Sequence, residues 1–307
     1  MTERRFQRIV VLGCGLIGAS WVAVFLAHGY TVTVWDPDRA ALDSLPTRVS
    51  RSLRQLRQIG IGGRGRLVVE SDFRRAVEGA QFVQENAPEK LELKRGLYRD
   101  LEAAVDRTAL ISASTSSFVW SDLAKGLKYG ERLLTAHPFN PPHLIPLVEL
   151  YGRSAGSTRR AAAFYRSLGK TVVVLKKEAT GHIANRLASA LWREAVHIVA
   201  EGIVDVKDVD DALVDGPGLR WAVMGANISY HLGGGTGGIK AYLKHLGPSQ
   251  ERRWKDLGTP RLTPALRRRI SQGVLAEANG RTVEQLEHLR DRALIGVLLA
   301  RGRRPRV

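Results

Sequence analysis

An uncharged run, IVVLGCGLIGASWVAVFLA, occupies Ile9 to Ala27 behind the basic segment MTERRF and the pair Gln7 and Arg8. Its length and polarity are compatible with a membrane span or a signal segment. Gly13, Gly15 and Gly18 interrupt it, however, and a second apolar stretch, TVTVW, follows at Thr31–Trp35. A buried strand over Arg8–Leu12, a glycine turn, and a buried helix over Leu16–His28 closed by Gly29 account for every feature, and the membrane reading is rejected. The turn spells G-x-G-x-x-G. Gly13 permits the tight bend, Gly15 lets backbone approach a pyrophosphate, and Gly18 permits close helix–strand contact. The helix start at Leu16 and Ile17 supplies free N–H groups and a positive dipole end for phosphates. Asp36, at the end of the second strand, is placed to accept from an adenosine ribose hydroxyl and to repel a 2′-phosphate, which favours NAD. Arg39 is the competing signal, since an arginine nearby can accommodate that phosphate.

Strand and helix patterns continue to alternate. Strands are expected at Arg66–Val69, Phe82–Glu85, Leu110–Ala113, Leu133–Ala136, Leu147–Leu150 and Thr171–Leu175, with a helix opened by Pro88 and running to about Val105. From about Glu178 the strand patterns stop. Helices are expected over Ile183–Ala200, Val206–Leu213, Trp221–Leu232, Ile239–Leu246, Thr263–Ala278 and Thr282–Ala300, with HLGGGTGG as a glycine-rich break. The expected architecture is α/β: a Rossmann-type dinucleotide-binding domain over residues 1–177, then an all-α substrate and dimerisation domain over 178–307. A chain of 307 residues can build two such cores.

The single cysteine, Cys14, excludes an internal disulfide framework and gives no argument for secretion, and no Cys or His cluster suggests a metal. The net charge of +17 raises the question of nucleic acid. Its arginines are scattered along helices without a nucleic-acid signature, and the basic RGRRPRV segment is short, so nucleic acid is not expected as the main partner.

The stretch TAHPFNPPHLIPLVEL carries the chemistry. Its prolines rule out a helix and stiffen a loop between two short strands. Strands on either side of such a loop can lie side by side, bringing His137 within hydrogen-bond reach of Glu149. A buried carboxylate needs a partner, and imidazole is the one available. Glu149 would fix the ring tautomer, leaving the other nitrogen of His137 as a general base near neutral pH. Ser116, Asn86 and His137 are expected just beyond strand C-terminal ends, where ligands of such sheets bind.

The segments GCGLIG, SASTSSF, AHPFNPPHLIPLVEL and GHIANRL together resemble the 3-hydroxyacyl-CoA dehydrogenase superfamily over almost the whole chain. Within it the chain looks most like the short-substrate relatives that act on L-gulonate (lambda-crystallin) or L-carnitine, and ALWREAVHIVAEG and GPGLRWAVMG are most similar to the carnitine branch, which makes L-carnitine the expected substrate. The resemblance implies that His137 is the catalytic base, Glu149 its orienting acid, Ser116 a contact to substrate oxygen and nicotinamide, and Asn185 an orienting residue for substrate and base. It assigns Glu85, Lys90 and Asn140 to the NAD site. It further implies oxidation of a small 3-hydroxy acid, a homodimer and a cytoplasmic setting. Arg220 is the candidate for the substrate carboxylate, and Phe139, Trp192, Trp221 and Tyr230 are candidates for a trimethylammonium group. A dinucleotide-binding protein without turnover is the alternative from another class.

Overall fold

The computed structural model describes residues 6–302. The chain divides into two compact units, Met1–Arg186 and Leu187–Val307. Residues 303–307 of the basic RGRRPRV segment lie outside the described residues.

The first unit is built on an 8-stranded sheet in the order β3-β2-β1-β4-β5-β6-β7-β8. Its strands are β1 (Ile9–Leu12), β2 (Thr31–Trp35), β3 (Arg66–Val69), β4 (Phe82–Glu85), β5 (Leu110–Ala113), β6 (Leu133–Pro138), β7 (Leu147–Tyr151) and β8 (Thr171–Val174). All neighbours are parallel except β6 and β7. Strand β1, fully buried, feeds α1 (Leu16–Ala27), which is buried from Gly18 to Ala27. Protein interior thus covers the long apolar run. No described helix is long and apolar enough to cross a membrane.

Helices cover both faces of the sheet. On one side Trp21, Phe25, Leu42, Leu45, Phe82 and Phe164 form a core with α1, α2 (Arg39–Gln58) and α6 (Ala155–Ser167). On the other, Tyr98 and Leu101 of α4 (Leu91–Ala104) pack on Val10, Leu12, Val83 and Ile111. Full burial on both faces explains why the strands read as apolar runs rather than alternations. The strand order reverses between β1 and β4, which opens a crevice at their C-terminal ends.

Several boundaries differ from the sequence expectation. α4 starts at Leu91 with Lys90 as its N-cap, so Pro88 lies in the preceding loop. β6 continues through His137 to Pro138 because His137 is still in register with Glu149 of β7. The first unit runs on through Glu178 to Arg186, where Ser121 bonds Glu178 and the amides of Ile183 and Ala184 donate to Glu149.

The second unit continues α7 (Ala184–Ala200) and adds α8 (Val206–Leu213), α9 (Leu219–Val223), α10 (Ala226–Gly233), α11 (Gly238–Asp256), α12 (Pro264–Ala278) and α13 (Val283–Arg301). The single helix expected over Trp221–Leu232 is two, because Met224 is extended and Gly225 caps α10. α11 runs through Pro248 instead of stopping at Leu246. A 2.6 Å bond from Gln250 Nε2 to Tyr242 Oη spans the turns on either side of the proline.

Candidate active site

The loop after β1 is shaped by contact rather than by flexibility. Gly13 has φ of 84°, and a methyl group there would meet the Asn86 backbone at 2.7 Å. A methyl at Gly18 would meet the Gly13 carbonyl oxygen at 1.8 Å, whereas one at Gly15 would meet nothing within 4 Å. Gly15 is the N-cap of α1 and supplies no side-chain cap, so the first amides of the helix remain open to an anion. Leu16 is half exposed at the same point. Asp36 braces the loop: Oδ2 accepts from Cys14 N at 2.6 Å and Oδ1 from Asp38 N at 2.9 Å. Each oxygen retains a lone pair for a ribose hydroxyl. These residues fit a dinucleotide. Arg39 is exposed and ion-paired with Asp43 at 3.2 Å.

At the far side of the crevice, antiparallel pairing sets His137 opposite Glu149. His137 Nδ1 lies 2.9 Å from Glu149 Oε2, and both side chains are buried. Glu149 Oε1 accepts from the amides of Ile183 at 2.7 Å and Ala184 at 2.9 Å. Burial pushes the Glu149 carboxyl up, but the His137 bond and the two amides outweigh it and hold the group below its ordinary value. Glu149 is therefore an ionised acceptor and Nδ1 of His137 carries the hydrogen that faces it, so that in the neutral ring the lone pair lies on Nε2.

The proline loop after β6 is tied down at both ends of its arc. Lys170 Nζ donates to the carbonyl of Pro142 and, at 3.4 Å, to that of Ile145. Burial lowers the Lys170 ammonium to about 7. His143 bridges Ser20 Oγ of α1 at 2.9 Å and Gln55 Oε1 of α2 at 2.6 Å.

A cavity of about 290 Å³ is lined by Ile17, Ser114, Ser116, His137, Phe139, Asn140 and Asn185. Residues expected from distant parts of the sequence thus meet at one place. Ser116 arrives on the loop after β5, Asn185 on the first turn of α7, and Ile17 on the first turn of α1. Arg220, Trp192 and Trp221 belong to the helical unit: Arg220 and Trp221 on α9, Trp192 on α7 with 54% of its surface exposed.

The two expected cofactor residues Glu85 and Lys90 lie in different surroundings. Glu85 is 0% exposed and its oxygens are taken by Lys94 Nζ at 2.8 and 3.1 Å, by Tyr98 Oη and by the amide of Ala87. It ends β4 beneath α4 and presents no surface to a cofactor. Lys90 is exposed at the start of α4. The acid that reaches the Ser116 loop is Glu89, whose Oε1 accepts from Thr115 Oγ1 at 2.7 Å and from the amides of Ser116 and Ser117 at 2.9 Å. Burial raises the Glu89 carboxyl, and these donors together with Lys94 more than reverse that, leaving it lowered. Glu89 and the buried Lys94 lie four residues beyond Glu85 and Lys90 in the same QENAPEKLELK segment. Sequence reasoning also missed His182. Its ring stacks on His137 with centroids 4.9 Å apart and planes at 22°. A histidine inside GHIANRL, beside the residues that bond Glu149, was the available signal.

With this geometry established, comparison with known proteins decides the family. Residues 8–179 match the NAD binding domain of 3-hydroxyacyl-CoA dehydrogenase, and residues 181–284 match its C-terminal domain. The chain belongs to the 3-hydroxyacyl-CoA dehydrogenase family. Its relatives include the L-carnitine dehydrogenase of Streptomyces griseus, 44% identical over 98% of this chain and 91% of that enzyme. The L-carnitine dehydrogenase of Pseudomonas aeruginosa is 39% identical over 95% of this chain and 93% of the relative. Among solved structures, 5-formyl-3-hydroxy-2-methylpyridine 4-carboxylic acid 5-dehydrogenase, an NAD+-dependent dismutase, superposes with a TM-score of 0.81 at 27% identity, covering 97% of this chain and 99% of the other. The protein is an NAD-dependent dehydrogenase with a Rossmann-like domain and a helical C-terminal domain, and the reading as a protein without turnover is set aside.

Proposed function

We propose that the protein oxidises L-carnitine to 3-dehydrocarnitine, reversibly, with NAD. The observation that carries this reading is the buried 2.9 Å His137–Glu149 pair on a cavity shared with Ser116 and Asn185. Full-length similarity to L-carnitine dehydrogenases supports the choice of substrate.

Nε2 of His137 accepts the proton of the C3 hydroxyl. Glu149, ionised and held by two amides, stabilises the imidazolium that forms. Ser116 and Asn185 hold the alcohol oxygen as charge develops on it. NAD, when bound along the glycine loop, supplies the hydride acceptor. Asn140 is the proposed contact to the nicotinamide amide, and Glu89 fixes the loop that presents Ser116.

Arg220 is proposed to bind the substrate carboxylate, and Trp192 and Trp221 to face the trimethylammonium group, an attraction of roughly 0.5–2 kcal/mol per ring. Turnover with L-carnitine, L-gulonate, 3-hydroxybutyrate and a 3-hydroxyacyl-CoA tests the assignment. Carnitine should be the best substrate, and Arg220→Ala should raise its KM by roughly tenfold or more while leaving the KM for NAD nearly unchanged. No turnover of carnitine beside good turnover of another of these alcohols would reject carnitine and leave the dehydrogenase in place.

Asp36 leads to a second expectation. The ratio of kcat/KM for NAD over NADP should be about a hundredfold, because a like-charge encounter between Asp36 and the 2′-phosphate costs several kcal/mol. Equal efficiencies would show that Arg39 leaves Asp43 to take the phosphate.

A second copy of the chain is the proposed partner. The helical unit leaves Leu219, Leu243, Trp254 and Leu275 between 61% and 70% exposed, which a homodimer would cover. Sedimentation equilibrium distinguishes dimer from monomer. The proposed compartment is the cytoplasm, where NAD is available and a lone buried thiol such as Cys14 is unexceptional.

A further inference from the structure

Glu149 and His137 sit on neighbouring strands, but both are held from outside the sheet by one turn. Gly181 and His182 carry successive positive φ values of 73° and 50°. This left-handed pair turns the next two amides, Ile183 and Ala184, onto the same oxygen of Glu149 at 2.7 and 2.9 Å. The His182 ring lies over the His137 ring at 4.9 Å and 22°, and only 3% of the residue is exposed. Nδ1 of His182 is buried without a hydrogen-bond partner among the described residues. That nitrogen anchors nothing, and what the residue offers its neighbour is the ring face.

We propose that His182 is a positioning residue for the catalytic base: its ring is the plate against which His137 is held, while the turn that carries it holds Glu149. A hydrogen bond at Nδ1 alone would leave the His137 ring free to rock about the line to Glu149, and the Phe139 ring, 6.2 Å away and at 78°, does not lie against its face. A stacked plane removes that freedom and aims Nε2 at the alcohol, which matters because about 1 Å of misplacement can cost a hundredfold in rate. Histidine meets two demands at once. It is among the few side chains that tolerate a left-handed backbone, and it supplies a flat ring. Asparagine keeps the backbone tolerance without the ring, and phenylalanine keeps the ring at a backbone cost that falls on stability. The stack also survives the chemical step. Burial first, and then the charge on His137, depress the His182 imidazole to about 4, so it stays uncharged when His137 takes up the proton. A neutral ring beneath an imidazolium is not repelled by it.

This inference depends on His137 being the base, and the experiment separates the two. Steady-state kinetics are compared for wild type, His137→Gln, His182→Asn and His182→Phe, with NADH binding by fluorescence as a check that the first unit is folded. His182→Asn should lose roughly ten- to a hundredfold in kcat with the KM for NAD unchanged. His182→Phe should recover most of that loss, because it restores the plate. A kcat for His182→Asn equal to wild type overturns the proposal, as does a His182→Phe no better than His182→Asn. An active His137→Gln would instead remove the base assignment itself. Should the variants fail to fold, histidine NMR of the unmodified protein serves the same end. The His137 ring protons should be shifted upfield by the stacked ring, and His182 should show no titration until about pH 4. An unshifted His137 refutes the stack, and a His182 that titrates in the ordinary histidine range refutes the neutral ring beneath the imidazolium.

Discussion

His137→Gln lowers kcat by roughly a hundred- to ten-thousandfold while NAD binds as in wild type. The side chain is removed from the cavity and not from the glycine loop, so the two measurements separate. Gln cannot accept the hydroxyl proton, and the Nε2 lone pair that Glu149 selects through Nδ1 disappears with the ring. Glu149→Gln should be impaired less severely. Its carboxylate accepts from three donors, His137 Nδ1 and the amides of Ile183 and Ala184. An amide offers one oxygen for those donors and turns its own NH2 toward at least one of them, so tautomer control and the charge beneath the imidazolium are both lost. Turnover is read from NADH absorbance and affinity from NADH fluorescence. A His137→Gln enzyme turning over any alcohol at near wild-type rate would end the base assignment.

Gly18→Ala should weaken NAD binding by roughly ten- to a hundredfold or more and lower Tm. The new methyl would lie 1.8 Å from the Gly13 carbonyl oxygen, which is backbone and must shift to make room. Forcing one carbon into such a contact typically costs about 1–3 kcal/mol, which falls on the loop that receives the phosphates. Gly15→Ala is the informative contrast. Its methyl meets no protein atom within 4 Å, and its φ of −61° suits any residue. Stability should therefore be kept and only NAD affinity reduced, since the methyl fills the space where backbone must approach the pyrophosphate. Thermal melts alongside NADH titrations distinguish the two variants. Indistinguishable behaviour, with both stable and both tight, would mean the loop does not carry the phosphates.

The sequence by itself determined the elements whose signals are local. TVTVW, RLVV, FVQE and LISA read as strands with the bounds they have, because each is a short apolar run closed by a turn or a charge. GCGLIG pointed to a phosphate loop through its spacing together with the strand before it, the helix after it and the second strand beyond, and the prolines between His137 and Glu149 implied the hairpin-like pairing that brings those two side chains to 2.9 Å. Only the tertiary structure decided where each of several like residues is placed. Glu85 and Glu89 are equally acidic in QENAPEK, but the end of β4 lies under Lys94 and Tyr98 of α4, which consume Glu85, while the loop carries Glu89 to Ser116. The histidine of GHIANRL was in view in the sequence, but its partner was not. Its contact with His137 joins segments far apart in the chain, and no periodicity records that a left-handed turn after β8 will fold one imidazole flat against another.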